Sequence, residues 1–403
     1  MPSHAGPNIV RESNLVFALD TGDTSNSYRG EPTTNYQWNG GSEFTPSYSD
    51  WTGAPAPIDV TNTSNQGPIK GAKTWQFTKN GSSNQWHGWE WTYGGIWTGN
   101  AGDIWTTSYW YKTTNDAGLG GFSIGYFYKP DWSAPFNTSI LANVNSIIAD
   151  GQWHYNYTTT QFNENYSNAI IVDGPSWGYS TNPGILYING LQWEKKNHST
   201  QFAYGTRSVS GSLLPLLGNT SLDISTVSFD SNAQITFDGT DDTISINSYP
   251  AIELADNISI EYVYMRLSTD PVLDVIANKY HTVGWELFCQ TSATFALAGR
   301  NGDGTYYATS NPAYTIQNNQ YYHLVAIKDG FSWRLYVNGA LYASLTANTI
   351  GTWSNNGILQ IGGEGAGYYP NMKLPIFKIY NSALSADQVK QNYQQYKSRF
   401  NLS

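Results

Sequence analysis

Charge is scarce in this 403-residue sequence: Asp, Glu, Lys and Arg make up 12% of it, with a net balance of −10. Phosphate binding is driven by Lys and Arg, so this balance argues against a nucleic-acid partner and equally against an anionic membrane surface. A single cysteine, Cys289, means that no disulfide can close within the chain. It stands in an apolar run between Phe288 and Gln290, which predicts a small buried hydrophobe. A reactive thiol would want a cationic neighbourhood, and the local sequence supplies none. Long hydrophobic runs are missing as well, so no membrane insertion by an apolar helix is expected. The opening Met1-Pro2-Ser3-His4-Ala5-Gly6-Pro7 has neither n-region charge nor an apolar h-region, so no signal peptide is expected. Triplets such as Asn62-Thr63-Ser64 and Asn257-Ile258-Ser259 match the glycosylation pattern but carry little weight without a secretory signal.

What the chain has in excess is aromatic: 30 Tyr and 16 Trp. These side chains pack an apolar body and keep a polar handle, and they anchor interfaces and stack on flat sugar faces. The 39 Gly and 17 Pro, with abundant Asn, Ser and Thr, suit many short strands joined by turns. Stretches rich in Leu, Ala, Glu and Lys are nearly absent until the C-terminus.

The first strand is predicted over Asn14-Leu15-Val16-Phe17-Ala18-Leu19-Asp20. From Trp38 to Trp193 a region holding 13 of the 16 tryptophans reads as strands over 74–78, 103–112, 121–128, 151–159, 168–173 and 184–193. Period-two alternation is clear in Trp105-Thr106-Thr107-Ser108-Tyr109-Trp110-Tyr111-Lys112, which means one buried and one exposed face. Past Gly205 tryptophan thins out and Ile, Val and Leu rise. Strands are predicted there over 233–238, 243–247, 258–267, 285–290, 321–328, 340–345, 357–361 and 374–380. Asn338-Gly339 is a hairpin turn signal. One helix is predicted after Ser385-Ala386-Asp387-Gln388, a capping box with Leu384 and Val389 as its staple. Val389, Tyr393 and Tyr396 put one stripe toward a core. The fold class is therefore all-β: two β-sandwich (jelly-roll) domains with one short C-terminal helix.

Several segments carry a family resemblance: Phe237-Asp238-Gly239-Thr240-Asp241-Asp242, Ile258-Ser259-Ile260-Glu261, Gly284-Trp285-Glu286-Leu287, Tyr322-His323-Leu324-Val325 and Leu335-Tyr336-Val337-Asn338-Gly339. With the closing Phe377-Lys378-Ile379-Tyr380-Asn381-Ser382-Ala383-Leu384-Ser385, they resemble a laminin-G-like, or concanavalin A-like, lectin sandwich over residues 221–402. The run 14–20 resembles the first strand of the same family in bacteriophage structural proteins, where the Phe-Asp-Gly-Thr segment follows closely; here more than 200 residues intervene. The resemblance thus implies a discontinuous lectin-like domain, 1–35 with 206–403, interrupted by an inserted domain over 36–205. Leu186-Tyr187-Ile188-Asn189-Gly190-Leu191-Gln192-Trp193-Glu194 makes that insert similar to carbohydrate-binding jelly rolls of phage tail and fibre proteins.

Lectins and glucanases share such folds, so the fold alone does not decide between binding and cleavage. No Glu-x-Asp-x-x-Glu strand motif occurs; Glu261 and Glu286 each sit alone in an apolar strand. The six histidines show no metal-ligand spacing. Asp238, Asp241 and Asp242 offer a weak calcium site, against the competing reading of a polar turn whose Asp side chains satisfy backbone N–H groups. No cofactor is required. The aromatic candidates for a sugar platform are Trp86, Trp89 and Trp91 in the densest cluster and Trp97, Trp132 and Trp177 in loop-like context. In the second domain they are Tyr306, Tyr307, Trp353, Tyr368 and Tyr369. Against each stands the core reading, since aromatics dominate sandwich interiors.

The resemblance implies a non-enzymatic bacteriophage virion structural protein, assembled in the host cytoplasm: a tail fibre, tail appendage or capsid decoration. Its expected partners are other virion proteins, further copies of itself in a homo-oligomer, and a host-surface glycan. A purely architectural subunit using its aromatics for chain–chain contacts is the alternative, and a glucanase-like enzyme the third reading.

Overall fold

The computed structural model describes residues 14–36, 58–79, 100–113, 148–162 and 183–403, apart from 219, 254–255, 269–272, 281–282, 291–292, 301–303, 312–314, 348–352 and 364–366; between 37 and 182 it adds the backbone of short strands only. The chain divides into two compact units, one formed by Met1–Glu31 with Ser208–Ser403 and the other by Pro32–Arg207.

The first unit is a sandwich of an eight-stranded and a seven-stranded sheet. Leu15–Asp20 pairs antiparallel with Asn371–Tyr380, placing Phe17 opposite Ile379 and Leu19 opposite Phe377. Asn371–Tyr380 pairs in turn with Asn257–Arg266, which pairs with Tyr321–Asp329. The seven-stranded sheet runs in the order Leu222–Asp223, Ile244–Ile246, Leu359–Ile361, Asp274–Tyr280, Gly284–Cys289, Phe295–Arg300, Tyr306–Ser310. Alternation sends Trp285, Leu287 and Cys289 into the same core as Tyr262, Tyr264, Leu324, Trp333 and Phe377 from the facing sheet. Between Ser332–Val337 and Ala340–Thr346 the chain turns at Asn338 and Gly339, with φ of 49° and 78°. Two successive positive φ values are what a type I′ hairpin needs.

The C-terminal helix spans Ala386–Phe400. Ser385 accepts from the Gln388 N–H at 3.2 Å, and the Gln388 side chain accepts from the Ser385 N–H at 2.9 Å, closing the capping box. Its buried stripe lies on the outer side of the eight-stranded sheet, where Val389 meets Val325, Ile327 and Tyr380, and Tyr393, Tyr396 and Phe400 meet Val263 and Ile376. Arg399 also holds Asp20 with two bonds of 2.7 and 2.5 Å, tying the helix to the first strand.

The second unit is built around a five-stranded sheet in the order His154–Gln161, Ile104–Thr113, Gly184–Glu194, Thr74–Lys79, Ile58–Asp59. One face is its core: Trp75, Phe77, Trp105, Tyr109, Tyr111, Leu186, Ile188 and Trp193 are all buried. Thr33–Thr34 pairs with Thr206–Arg207 inside this unit. In the first unit the Arg29 N–H donates to the Ser212 carbonyl at 2.8 Å. The chain thus leaves and rejoins the split sandwich at neighbouring points, the geometry under which insertions are tolerated.

Candidate binding faces

The outer face of the seven-stranded sheet carries one continuous row across all seven strands. Cross-strand register places Asp223, Ser245, Gln360, Asn278, Glu286, Ala298 and Ala308 opposite one another in that order. They are the residues left outward when Trp285, Leu287, Leu297 and Ile361 turn into the core. Beside this row lies a second, Gly284–Arg300–Tyr306. The Arg300 guanidinium sits 5.8 Å from the Tyr306 ring centroid and donates to the Gly304 carbonyl at 2.8 Å. Tyr306 is 49% exposed. Ala308 is exposed and Ser245, Gln360 and Glu286 are half-buried, while Ala298 and Asn278 in the middle of the row are buried, Asn278 donating to the Gly363 carbonyl at 2.8 Å. Across its middle the face is closed: Val275, Phe288, Ala296 and the row's own Ala298 are buried, with Leu273 and Tyr368 packed against them.

Among the described residues, the carboxylates of this face are poorly placed for hydrolysis. Asp223 and Glu286 sit four strand spacings apart, roughly 19 Å, against the 5–9.5 Å or so that glycosidases use. Glu261 is fully buried, accepting from the Tyr380 hydroxyl at 2.5 Å, His323 Nε2 at 2.8 Å and Asn392 Nδ2 at 3.1 Å. Glu253 is tied to Lys279 at 2.7 Å and to the backbone N–H groups of Asn355 and Asn356 at 3.1 Å.

The second unit offers a different face. Opposite its core, the five-stranded sheet turns out Tyr155 and Tyr157, Trp110 and Lys112, Tyr187 and Ile185, Gln76, and Ile58, as their registers require. Part of this side is covered. The Asn189 carboxamide donates to the carbonyls of Ala72 and Lys73 and accepts from the Ile69 N–H at 2.8 Å, laying the 67–74 loop over it. Buried Glu194 accepts from Thr33, Gln192 and Thr200 at 2.7–3.0 Å, which closes the end near residue 200. The remainder is open: Tyr157 is 53% exposed, and Trp110, Tyr155 and Tyr187 are half-buried.

The aromatics expected from sequence fall in several places. Trp86, Trp89 and Trp132 lie outside the described residues. Trp91, Trp97 and Trp177 are strand residues, paired with Asp173, Ala169 and Phe122 respectively. Tyr306 is on the outer face, but Tyr307 points the other way and meets Trp333 at 5.6 Å. Tyr368 and Tyr369 are half-buried. Trp353, expected at the surface, is in the core: it is 2% exposed and meets the Trp333 ring edge-on at 4.7 Å. The outward Trp110, Tyr155, Tyr157 and Tyr187 were missed as candidates, although the alternation around Trp110 already separated the two faces.

The aspartate turn resolves into hydrogen bonds. Oxygens of Asp238, Asp241 and Asp242 lie within 4.8 Å of one another. Asp242 accepts from the Asp238 N–H at 2.6 Å and the Ser228 hydroxyl at 3.2 Å, and Asp238 accepts from the Thr240 N–H at 2.8 Å. Burial pushes the Asp242 carboxyl up, against the pull of those donors, and the neighbouring carboxylates push it further. The three side chains supply half or less of the six to eight oxygens calcium takes, so they fit a turn better than a cation. Cys289 is buried as expected, yet a cation does stand beside it: Arg266 Nη1, from another strand, is 3.6 Å from Sγ. Burial still pushes the thiol up, to about 12.

Residues 238–390 match the family model of the concanavalin A-like lectin/glucanases superfamily. The match covers less than half of the chain, all of it in the split sandwich. Among solved structures, the chain is similar to the botulinum neurotoxin serotype G binding domain, with 15% identity, 47% of this chain and 49% of that chain covered, and a TM-score of 0.40. It is likewise similar to the serotype D binding domain (14%, 46% and 49%, 0.39) and to the binding domain of Paraclostridial Mosquitocidal Protein 1 (17%, 47% and 49%, 0.38). The chain spans about half the length of each of them. No curated protein matches. The fold is all-β and lectin-like, with a short helix at its C-terminal end.

Proposed function

We propose that this protein is a non-enzymatic recognition protein that holds a glycan on the outer face of the seven-stranded sheet. The observation that carries the reading is the row from Asp223 to Ala308 with Arg300 and Tyr306 beside it. What it offers to solvent is the exposed Ala308, the half-buried Glu286, the Arg300 guanidinium and the exposed Tyr306 ring, and saccharide sites likewise pair stacking with a few placed hydrogen bonds. The match of 238–390 to a superfamily of lectins and glucanases supports the same reading. The wide separation of Asp223 and Glu286 favours binding over cleavage.

In its finer form, the protein is a bacteriophage virion subunit, a fibre, tail appendage or capsid decoration, that recognises the host surface. Support comes from the likeness of 14–20 to the first strand of phage structural proteins and from the pairing of Leu15–Asp20 with Asn371–Tyr380.

The test is a glycan array probed with the full chain and with Arg300→Ala and Tyr306→Ala. Each substitution should weaken retention by about tenfold, the worth of one charge-assisted hydrogen bond or one stacked ring. Array signals that survive both substitutions unchanged refute this face. Release of reducing ends from a bound polysaccharide would overturn the non-enzymatic reading, and an image of the particle without this chain on its surface would end the virion assignment.

A further inference from the structure

The open part of the five-stranded sheet in the second unit has features that the lectin-like row does not share. Trp110 and Tyr155 lie opposite each other in register with ring centroids 5.3 Å apart, and Tyr155 meets Tyr157 at 6.3 Å. Three rings therefore follow one another, from Trp110 across to the edge strand and along it. Lys112 is two residues from Trp110 on the same strand and face, about 7 Å along it. Its ammonium donates to Asn65 Oδ1 at 3.2 Å and stands 5.6 Å from the Tyr187 ring centroid, while Asn65 Nδ2 donates to the Tyr187 hydroxyl at 3.1 Å. Among the described residues no carboxylate pairs with Lys112. A chain carrying −10 overall has thus kept one cation on an aromatic face, fixed by a neutral amide and a ring.

We propose that this face binds an acidic oligosaccharide, its sugar rings laid on Trp110, Tyr155 and Tyr157 and a sugar carboxylate on the Lys112 ammonium. Rings supply sequence-tolerant stacking on the flat faces of sugars. The ammonium, already oriented by Asn65, supplies a charge-assisted bond that a neutral sugar does not use. Such a ligand also suits a half-buried lysine, since an anion replaces the water lost around the ammonium. The site shares no residue with the row holding Arg300 and Tyr306, and it stands or falls without it.

The experiment is calorimetric titration of the full chain with tetragalacturonate and, separately, with a neutral galactose tetrasaccharide. The acidic oligosaccharide should bind about tenfold more tightly than the neutral one. Lys112→Met should erase that preference and Lys112→Arg should keep it, while Tyr157→Ala should weaken both ligands by about fivefold. Arg300→Ala and Tyr306→Ala should leave these affinities unchanged, which separates this site from the lectin-like row. Equal affinity for the two oligosaccharides, a preference that survives Lys112→Met, or loss of uronate binding in the Arg300 and Tyr306 variants overturns the proposal. So does the outcome in which uronate fails to bind and Tyr157→Ala instead converts a dimer to monomers in sedimentation, because the face is then a subunit contact.

Discussion

Replacing Glu261 by Gln tests the charge network beneath the C-terminal helix. The Glu261 carboxylate has no exposure to solvent, and the bonds from Tyr380, His323 and Asn392 are joined by the Lys378 ammonium at 3.3 Å. Glu261→Gln preserves shape but leaves that ammonium buried without its anion. Breaking a buried pair from one side costs about 3–5 kcal/mol. For a unit of this size that is a melting-point drop of roughly 6–20 °C, readable by circular dichroism or calorimetry.

The same network sets an acid limit. Burial alone would push Glu261 up, but Lys378, His323 and Tyr380 outweigh it and bring the carboxyl down to about 2 from 4.5. The folded state therefore holds its proton less tightly than the unfolded chain. The stabilisation is complete above pH 4.5 and drains away as pH falls from there through about 2. Its size is about 3 kcal/mol. In Glu261→Gln this stretch of the acid-stability curve should flatten. A double variant, Glu261→Leu with Lys378→Met, should recover much of the lost stability, since apolar replacement of a whole buried pair is often neutral. A Glu261→Gln loss below about 1 kcal/mol, a typical surface-pair value, would refute the idea that this carboxylate anchors the helix.

Two further substitutions separate core from surface. Trp353→Ala should destabilise the sandwich by about 3–5 kcal/mol while glycan retention by the folded protein stays intact; lost retention without lost stability would contradict the core placement. Cys289, with its thiol raised to about 12, should react with a thiol reagent at neutral pH only after denaturation, and labelling of the native protein at the rate of a free thiol would count against its burial despite the adjacent Arg266.

Much of the fold was legible because period-two alternation and turn chemistry are local. Strands 104–113 and 184–194 were anticipated within a residue or two, and the capping box at Ser385 announced the helix outright. Strands missed in the seven-stranded sheet include Asp274–Tyr280, Phe295–Arg300 and Tyr306–Ser310. They owe their strand state to neighbours: Phe-Ala-Leu-Ala-Gly-Arg has small residues of low β preference, acceptable because Ala296 and Ala298 lie under packed loops. The candidate faces were less legible than the strands. Which side of Trp110 meets a core, and that Trp353 folds inward against Trp333, depend on partners distant in sequence. The cation beside Cys289 was invisible for the same reason, arriving from a strand 23 residues earlier.

The pairing of Leu15 with Tyr380 spans 365 residues (380 − 15). At a ribosomal rate of about 5–20 residues per second, some 20–70 s pass between synthesis of the two strands. During that interval the second unit, whose residues are contiguous, can finish folding while the early strand has no template. Its apolar Leu-Val-Phe-Ala-Leu run must be kept from pairing with other nascent copies. Crowded polysomes and high expression temperature should therefore produce misassembly that begins at this strand, in a protein whose finished sandwich is sound.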